Sequence, residues 1–190
     1  MNQIARFRVF GLGLALLIFV ADQWSKHFVT ATLGLTEIGD HYPLLPFFDF
    51  TRTNNYGVSL GMFEATSMEM RWALVGLTAI IATVVLIWML RERLLGEILP
   101  LGMVLGGALG NIVDRYRFGY VVDFADFHIG DFRPFLIFNV ADAAITIGVV
   151  IILVRALFIS EKEGNEQDAS SDQQAPPATR TGGPATDRKE

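Results

Sequence analysis

The sequence predicts a membrane all-α bundle of four transmembrane helices, with a small external β-segment and a disordered C-terminal tail. Three observations carry that prediction. Hydrophobic residues make up 52% of the 190-residue chain, more than a soluble domain of this size usually shows. They gather in four long runs, each near the roughly 20 residues a helix needs to cross the hydrocarbon core. From about Glu161 onward the chain has no aromatic residue, Ile, Leu or Val and no periodicity. Ordering such a stretch buries too little surface to offset the entropy lost. Residues 1–160 therefore read as the membrane domain and 161–190 as a disordered cytoplasmic tail.

The first run extends from about Val9 to Phe28. Arg6 and Arg8 ahead of it would also suit a cleaved signal peptide. No small-x-small cleavage site follows, however, and Asp22, Trp24 and Lys26 come at once, so the run reads as a retained helix. The second run spans about Met70 to Leu90, the third about Leu95 to Val113, and the fourth about Phe135 to Phe158, with Pro134 placed to start it. The third is Gly-rich and carries Pro100 near its start. Its Gly102, Gly106 and Gly110 recur every four residues, the small-xxx-small pattern of close helix packing. No G-K-[ST] follows, so this is not a phosphate loop. Arg6/Arg8, Arg91/Arg93 and Arg155/Lys162 fall on one side of four spans, which puts both termini in the cytoplasm.

Two segments then face outward. The longer, about Val29 to Glu69, contains Phe47-Phe48-Asp49-Phe50-Thr51-Arg52-Thr53 between Pro43/Pro46 and Asn54-Asn55-Tyr56-Gly57. That is one or two short strands with a turn, a β-structure resting on the membrane. The shorter, about Tyr116 to Pro134, reads as a loop holding Asp123, with a turn at Gly130-Asp131. The chain has no cysteine, which excludes disulfides and thiolate chemistry. Much of the acidic charge behind the net −5 lies in the tail, so charge says little about partners and nothing points to nucleic acid. His27, His41 and His128 are scattered and make no metal set.

Ionisable side chains at membrane depth are costly and mark function by default. Asp22 and Lys26 sit one helical turn apart at the outer end of the first helix. Asn111, Asp114 and Arg115 close the third, and Asn139 and Asp142 open the fourth. With Asp123, all map to the external interface. Asp22/Lys26 and Asp114/Arg115 are complementary pairs of the kind that is usually scaffolding. Asn111 and Asn139 would serve equally as hydrogen bonds between helices. Asp123 and Asp142 have no basic neighbour in sequence. Brought together they would share a proton and activate a water as an aspartic dyad does, although spacing alone does not bring them together.

At this point the motifs resemble a known family. Asp22-Gln23-Trp24-Ser25-Lys26, Asn55-Tyr56-Gly57-Val58-Ser59, the run from Gly106 to Arg115, Val121-Val122-Asp123-Phe124 and Phe138-Asn139-Val140-Ala141-Asp142 look like the five motif blocks, in order, of the bacterial lipoprotein signal peptidases, or signal peptidase II. The resemblance covers nearly everything except the tail. It implies a four-helix membrane bundle with a periplasmic β-cradle, in the bacterial inner membrane with the active site near the periplasmic face. The implied activity is that of an aspartic endopeptidase that cuts the signal peptide from prolipoproteins before a diacylglyceryl-modified cysteine. Asp123 and Asp142 match the catalytic pair. Asn55, Asn111, Arg115 and Asn139 match the residues lining the site, and Asp22, Lys26 and Asp114 the supporting network. No cofactor or metal is implied. Membrane lipid and diacylglyceryl-prolipoproteins are the implied partners, and cyclic peptide antibiotics of the globomycin type the implied inhibitors. Val58-Ser59-Leu60-Gly61-Met62-Phe63 departs from the family, where small residues followed by Phe are commoner; that touches substrate fit.

Other classes fit less well. An ion-coupled transporter would want broken helices and an internal repeat, and the polar cluster lies at one face. A Mg²⁺-dependent transferase built on Asp114, Asp123 and Asp126 would need carboxylates at close helical spacing. A presenilin-like protease would want two mid-helix Asp and a Gly-x-Gly-Asp motif, and neither occurs. A non-catalytic scaffold leaves Asp123 and Asp142 unexplained.

Overall fold

The computed structural model describes residues 2–57, 68–130 and 132–172, with side chains described through residue 158. The family departure at 58–63, Asp131 of the expected turn, and residues 173–190 of the tail lie outside the described residues. The chain divides into two units, Met1–Leu153 and Val154–Glu190. The first comprises α1 (Gln3–His27), β1 (His41–Leu45), β2 (Phe48–Asn55), α2 (Met68–Arg91), α3 (Leu95–Phe118), β3 (Val121–Phe127) and the start of α4 (Val140–Asp172). The second carries α4 onward, so the tail expected from 161 begins on helix.

Among the described residues four helices are long and apolar enough to cross a membrane: Gln3–Thr32, Met68–Arg91, Leu95–Phe118 and Val140–Phe158. α3 is the central one. Half of its apolar window is buried inside the protein, against 11–17% for the others, whose Leu16, Leu17, Ile80, Val84 and Leu153 point outward. The glycine stripe explains how α3 takes that place. A Cβ at Gly102 would stand 2.6 Å from the Gly11 carbonyl, and at Gly106 it would strike the Ala15 carbonyl of α1. Without a hydrophobic force between helices in lipid, such backbone contact is what drives packing. Gly107 of α3 meets Ala141 and Ile145 of α4 in the same way. The core is completed by Met89 of α2 and by Ile98, Leu101 and Leu105 of α3.

α1 is opened by the Asn2 side chain, which accepts from the Ala5 N–H at 2.8 Å, and it runs into a π-helical turn over Phe28–Thr32. α3 closes at Gly119 (φ +87°), whose N–H donates to the Arg115 carbonyl at 3.1 Å. Arg71 of α2 also donates to the Arg115 carbonyl, at 2.9 Å, and to that of Tyr116, placing a cation on the negative end of α3.

The strands form one antiparallel sheet in the order β1-β2-β3. One or two strands were expected in the longer outer segment, and two are present; the third is the segment read as a loop: Asp123 sits on β3, paired with Thr53. All of β3 but Phe127 is buried. A strand buried on both faces shows no alternation by which to recognise it. The fourth helix is also corrected, starting at Val140 and not near Phe135. Phe138 exchanges backbone hydrogen bonds with Ala125 of β3 (2.8 and 3.2 Å), so the stretch before it is extended. Val29, Leu35, Phe124 and Ala125, with Phe48, Phe50 and Phe138, make a second core that fixes the sheet to the bundle end.

Candidate active site

Three buried groups at one end of the bundle form its foundation. The Lys26 ammonium lies between two carboxylates, 2.8 Å from Asp22 and 2.9 Å from Asp114. Asp22 and Asp114 are almost wholly excluded from solvent, so each needs partners on every side. Asp22 also accepts from the Ala141 N–H at 3.0 Å, one of the donors that the first turn of α4 leaves free. Asp114 accepts from Gln23 Nε2 (2.8 Å) and from the Val122 N–H (3.1 Å). The expected Asp22/Lys26 pair is present. The expected Asp114/Arg115 pair is not, because Asp114 turns to Lys26: consecutive residues on a helix do not face each other. This network ties α1, α3, α4 and β3 together with polar contacts.

On it rests a chain of amides and carboxylates. Asn139 immediately precedes α4, and its Oδ1 accepts from the Asp142 N–H at 2.9 Å while Asp142 Oδ2 lies 3.4 Å from the Asn139 N–H. That reciprocal arrangement is a capping box, and it explains why α4 begins at 140. The Asn139 Nδ2 donates to Asp123 Oδ1 at 2.6 Å, and Asn111 Nδ2 donates to Asp142 Oδ1 at 2.8 Å. Lys26 reaches Asn111 Oδ1 at 3.4 Å. One residue, Asn139, thus bonds with both Asp123 and Asp142, and the lysine network stands behind it. Asn55 of β2 also hydrogen-bonds the Asp123 side chain. Arg115 is within electrostatic reach of Asp142, Asp123 and Asp114, and its Nε is buried without a hydrogen-bond partner among the described residues.

The two carboxylates differ in environment. Asp123 is 2% exposed. Burial pushes its carboxyl up to about 7 and the nearby charge of Asp142 adds to the rise, opposed by hydrogen bonds from Asn55 and Asn139 and by the Lys26 ammonium. Asp142 is half-buried and lines an apolar groove of about 320 Å³ with Phe135, Leu136, Phe138, Ala143, Thr146 and Ile147. A carboxyl that keeps its proton near neutrality, beside a carboxylate facing an apolar groove, is an arrangement suited to acid–base chemistry on an apolar ligand.

Asp126 goes elsewhere, accepting from Thr51 Oγ1 (3.0 Å) and Arg133 Nε (3.1 Å). Asp114, Asp123 and Asp126 therefore do not converge, and among the described residues no group of three His, Asp or Glu is placed to hold a metal. Gln23 and Arg71 were missed as supporting residues. Gln23 lies one position from Asp22 in a run of polar residues, a visible signal; Arg71 caps a helix from another element, which no local pattern announces.

A family model described as Signal peptidase (SPase) II matches residues 14–158. A lipoprotein signal peptidase of Sphingopyxis alaskensis is 54% identical over 155 residues, 82% of this chain and 89% of its own length. Another from Rhizorhabdus wittichii is 50% identical over 154 residues, 81% of this chain and 89% of its own. The fold is similar to that of a bacterial membrane enzyme solved by the in meso method at 2.3 Å, with a TM-score of 0.70, 28% identity, and coverage of 80% of this chain and 90% of that one.

Proposed function

The chain belongs to the signal peptidase II family of aspartic endopeptidases, and from that premise we propose that it removes signal peptides from diacylglyceryl-modified prolipoproteins. It cuts before the lipidated cysteine, with Asp123 and Asp142 acting on one water. The observation that carries this reading is that Asn139 reaches both carboxyls, donating to Asp123 from its side chain (2.6 Å) and to Asp142 from its backbone N–H (3.4 Å), which relates two residues from different elements. Asp123, raised to about 7, carries the proton. Asp142, bonded by Asn111, is the ionised partner.

In this scheme the signal peptide lies in the apolar groove beside Asp142 and its lipidated cysteine stays at the interface. Asp142 takes a proton from the water as it attacks the scissile carbonyl, and Asp123 donates its proton to the carbonyl oxygen. When the tetrahedral intermediate collapses, the Asp142 proton passes to the leaving amine and Asp123 recovers its own from the collapsing hydroxyl. General acid–base catalysis of this kind contributes about 10²–10⁴-fold. Asn55, Asn111, Asn139 and Arg115 line the site and orient the carboxyls and substrate. Asp22, Lys26 and Asp114 hold the elements that carry them. The enzyme sits in the bacterial inner membrane with cytoplasmic termini and the site near the periplasmic face, where a globomycin-type cyclic peptide would occupy the groove.

The test is cleavage of a diacylglyceryl-modified prolipoprotein by purified protein in excess EDTA, with Asp123→Asn and Asp142→Asn alongside. Cleavage before the lipidated cysteine by the wild type, and none by either folded variant, is the expected result. Variants that keep cutting reduce the carboxylates to scaffolding and overturn the mechanism.

A further inference from the structure

A second cavity, of about 310 Å³, takes no substrate in the scheme above, although Lys26 and Asp114 of the supporting network are among its lining. Gln23, Lys26, His27, Thr36, Arg52, Arg117 and Tyr120 supply its polar lining with Asp114, and Phe118 and Val122 are among its apolar walls. It shares no lining residue with the groove beside Asp142. Successive strand residues point to opposite faces, so Val122 faces this cavity and Asp123 faces away.

Its depth is set by the helices. The α1 span ends at Thr32 and the α3 span at Phe118, and Thr30 and Phe118 both line the cavity. Trp24, Trp72, Tyr116 and Phe118 are exposed around the same end, as aromatic rings are at headgroup level.

Its charge is lopsided. Three cations line it against one carboxylate, Asp114, which is already paired with Lys26. Arg52 is only 6% exposed. It donates to Asn54 Oδ1 from Nε and Nη2, both at 3.1 Å, and approaches the Tyr120 hydroxyl (3.4 Å) and the Leu35 carbonyl (3.5 Å). All of these acceptors are neutral. A buried charge without a counter-ion is costly, so the guanidinium lacks a partner the protein does not supply among the described residues. Arg117 stands exposed at the mouth, over the Phe118 ring at 5.2 Å.

We propose that this cavity binds the phosphate of an anionic phospholipid headgroup, with Arg52 and Arg117 as its counter-ions. Guanidinium forks match phosphate oxygens in pairs, and at this depth the phosphates available are those of the bilayer. The inference stands independently of the proteolytic mechanism.

Native mass spectrometry of the full-length protein released from detergent tests it, with phosphatidylglycerol and phosphatidylcholine of the same acyl chains as probes. The wild type should retain one phosphatidylglycerol at least about fivefold more tightly than phosphatidylcholine, the scale of one basic residue at a membrane surface. Arg117→Gln, at an exposed position that leaves the fold intact, should lose that preference. Arg6→Gln, which removes the same charge at the other end of α1, should keep it. Equal retention of the two lipids, or undiminished preference in Arg117→Gln, would overturn the proposal. Binding of inorganic phosphate to the lipid-free protein as tight as that of phosphatidylglycerol would overturn the assignment to a headgroup.

Discussion

Substitution of Asn139 separates its two tasks, capping α4 and holding Asp123. Its Nδ2 donates to Asp123 Oδ1 at 2.6 Å and so favours the ionised carboxylate. A hydrogen bond to a charged group contributes about 1.5–3 kcal/mol, and ~1.4 kcal/mol moves a carboxyl's titration by one pH unit. Removing the donor therefore raises the Asp123 carboxyl further above its value of about 7, by about one to two pH units. In the proposed mechanism Asp123 must be protonated, so activity falls as pH rises past that point. The alkaline limb of kcat/KM should move upward in an Asn139→Ser variant.

Serine is the informative choice. Its hydroxyl still caps α4, where Asn→Ala would cost about 1 kcal/mol, but it is too short to reach Asp123. Both variants lose the buried bond to Asp123, so both should melt below wild type and shift the pH profile alike, with Asn139→Ser melting above Asn139→Ala by the worth of the cap, about 1 kcal/mol. The assay is initial rates on a lipidated prolipoprotein across pH 5–10, with thermal unfolding in detergent alongside. Coupled carboxyls titrate as a pair, so the limb reports the pair and its displacement is the readable quantity. An alkaline limb that stays in place or moves down in both variants would refute the role given to Asn139 and the assignment of the proton to Asp123.

The elevated Asp123 also bears on stability: its folded value of about 7 lies above the unfolded 3.8, so the cost of ionising it is absent below about pH 4, grows through the interval, and is full above 7. At ~1.4 kcal/mol per unit this is on the order of 4 kcal/mol, and Asp123→Asn should melt higher than wild type at pH 8 and alike at pH 4. Lys26→Met leaves Asp22 and Asp114 buried without their cation; a loss of about 3–5 kcal/mol should appear as a large fall in melting temperature, recovered in part by adding Asp22→Asn and Asp114→Asn. Gly106→Ala drives a methyl into the Ala15 backbone and should cost about 1–3 kcal/mol, whereas Gly13→Ala, with nothing within 4 Å, should be neutral or stabilising; unfolding in detergent distinguishes them.

What was legible in the sequence divides by the range of the force that wrote it. The existence of four spans and the glycine stripe are local patterns imposed by lipid, and both are found in the structure, the start of the fourth span apart. The loop holding Asp123 reads as irregular because β3 is buried along both faces, all but Phe127, and a strand so buried carries no period of two. The start of α4 was misread for the opposite reason. Phe135-Leu136-Ile137-Phe138 is apolar enough to continue a membrane helix, yet Phe138 is drawn into backbone pairing with Ala125. The true start was nevertheless written one residue later: Asn139-Val140-Ala141-Asp142 has the spacing of a capping box, with Asp in place of Glu. That box places an acid three residues into the helix, where the free N–H groups and the helix dipole favour negative charge, and the cap's own side chain has a second face that reaches β3. A residue required to begin the helix is thereby also the one that relates its carboxylate to Asp123. The sequence displays the first role at short range; the second depends on β3 arriving beside α4, which Asp114 secures by accepting the Val122 N–H.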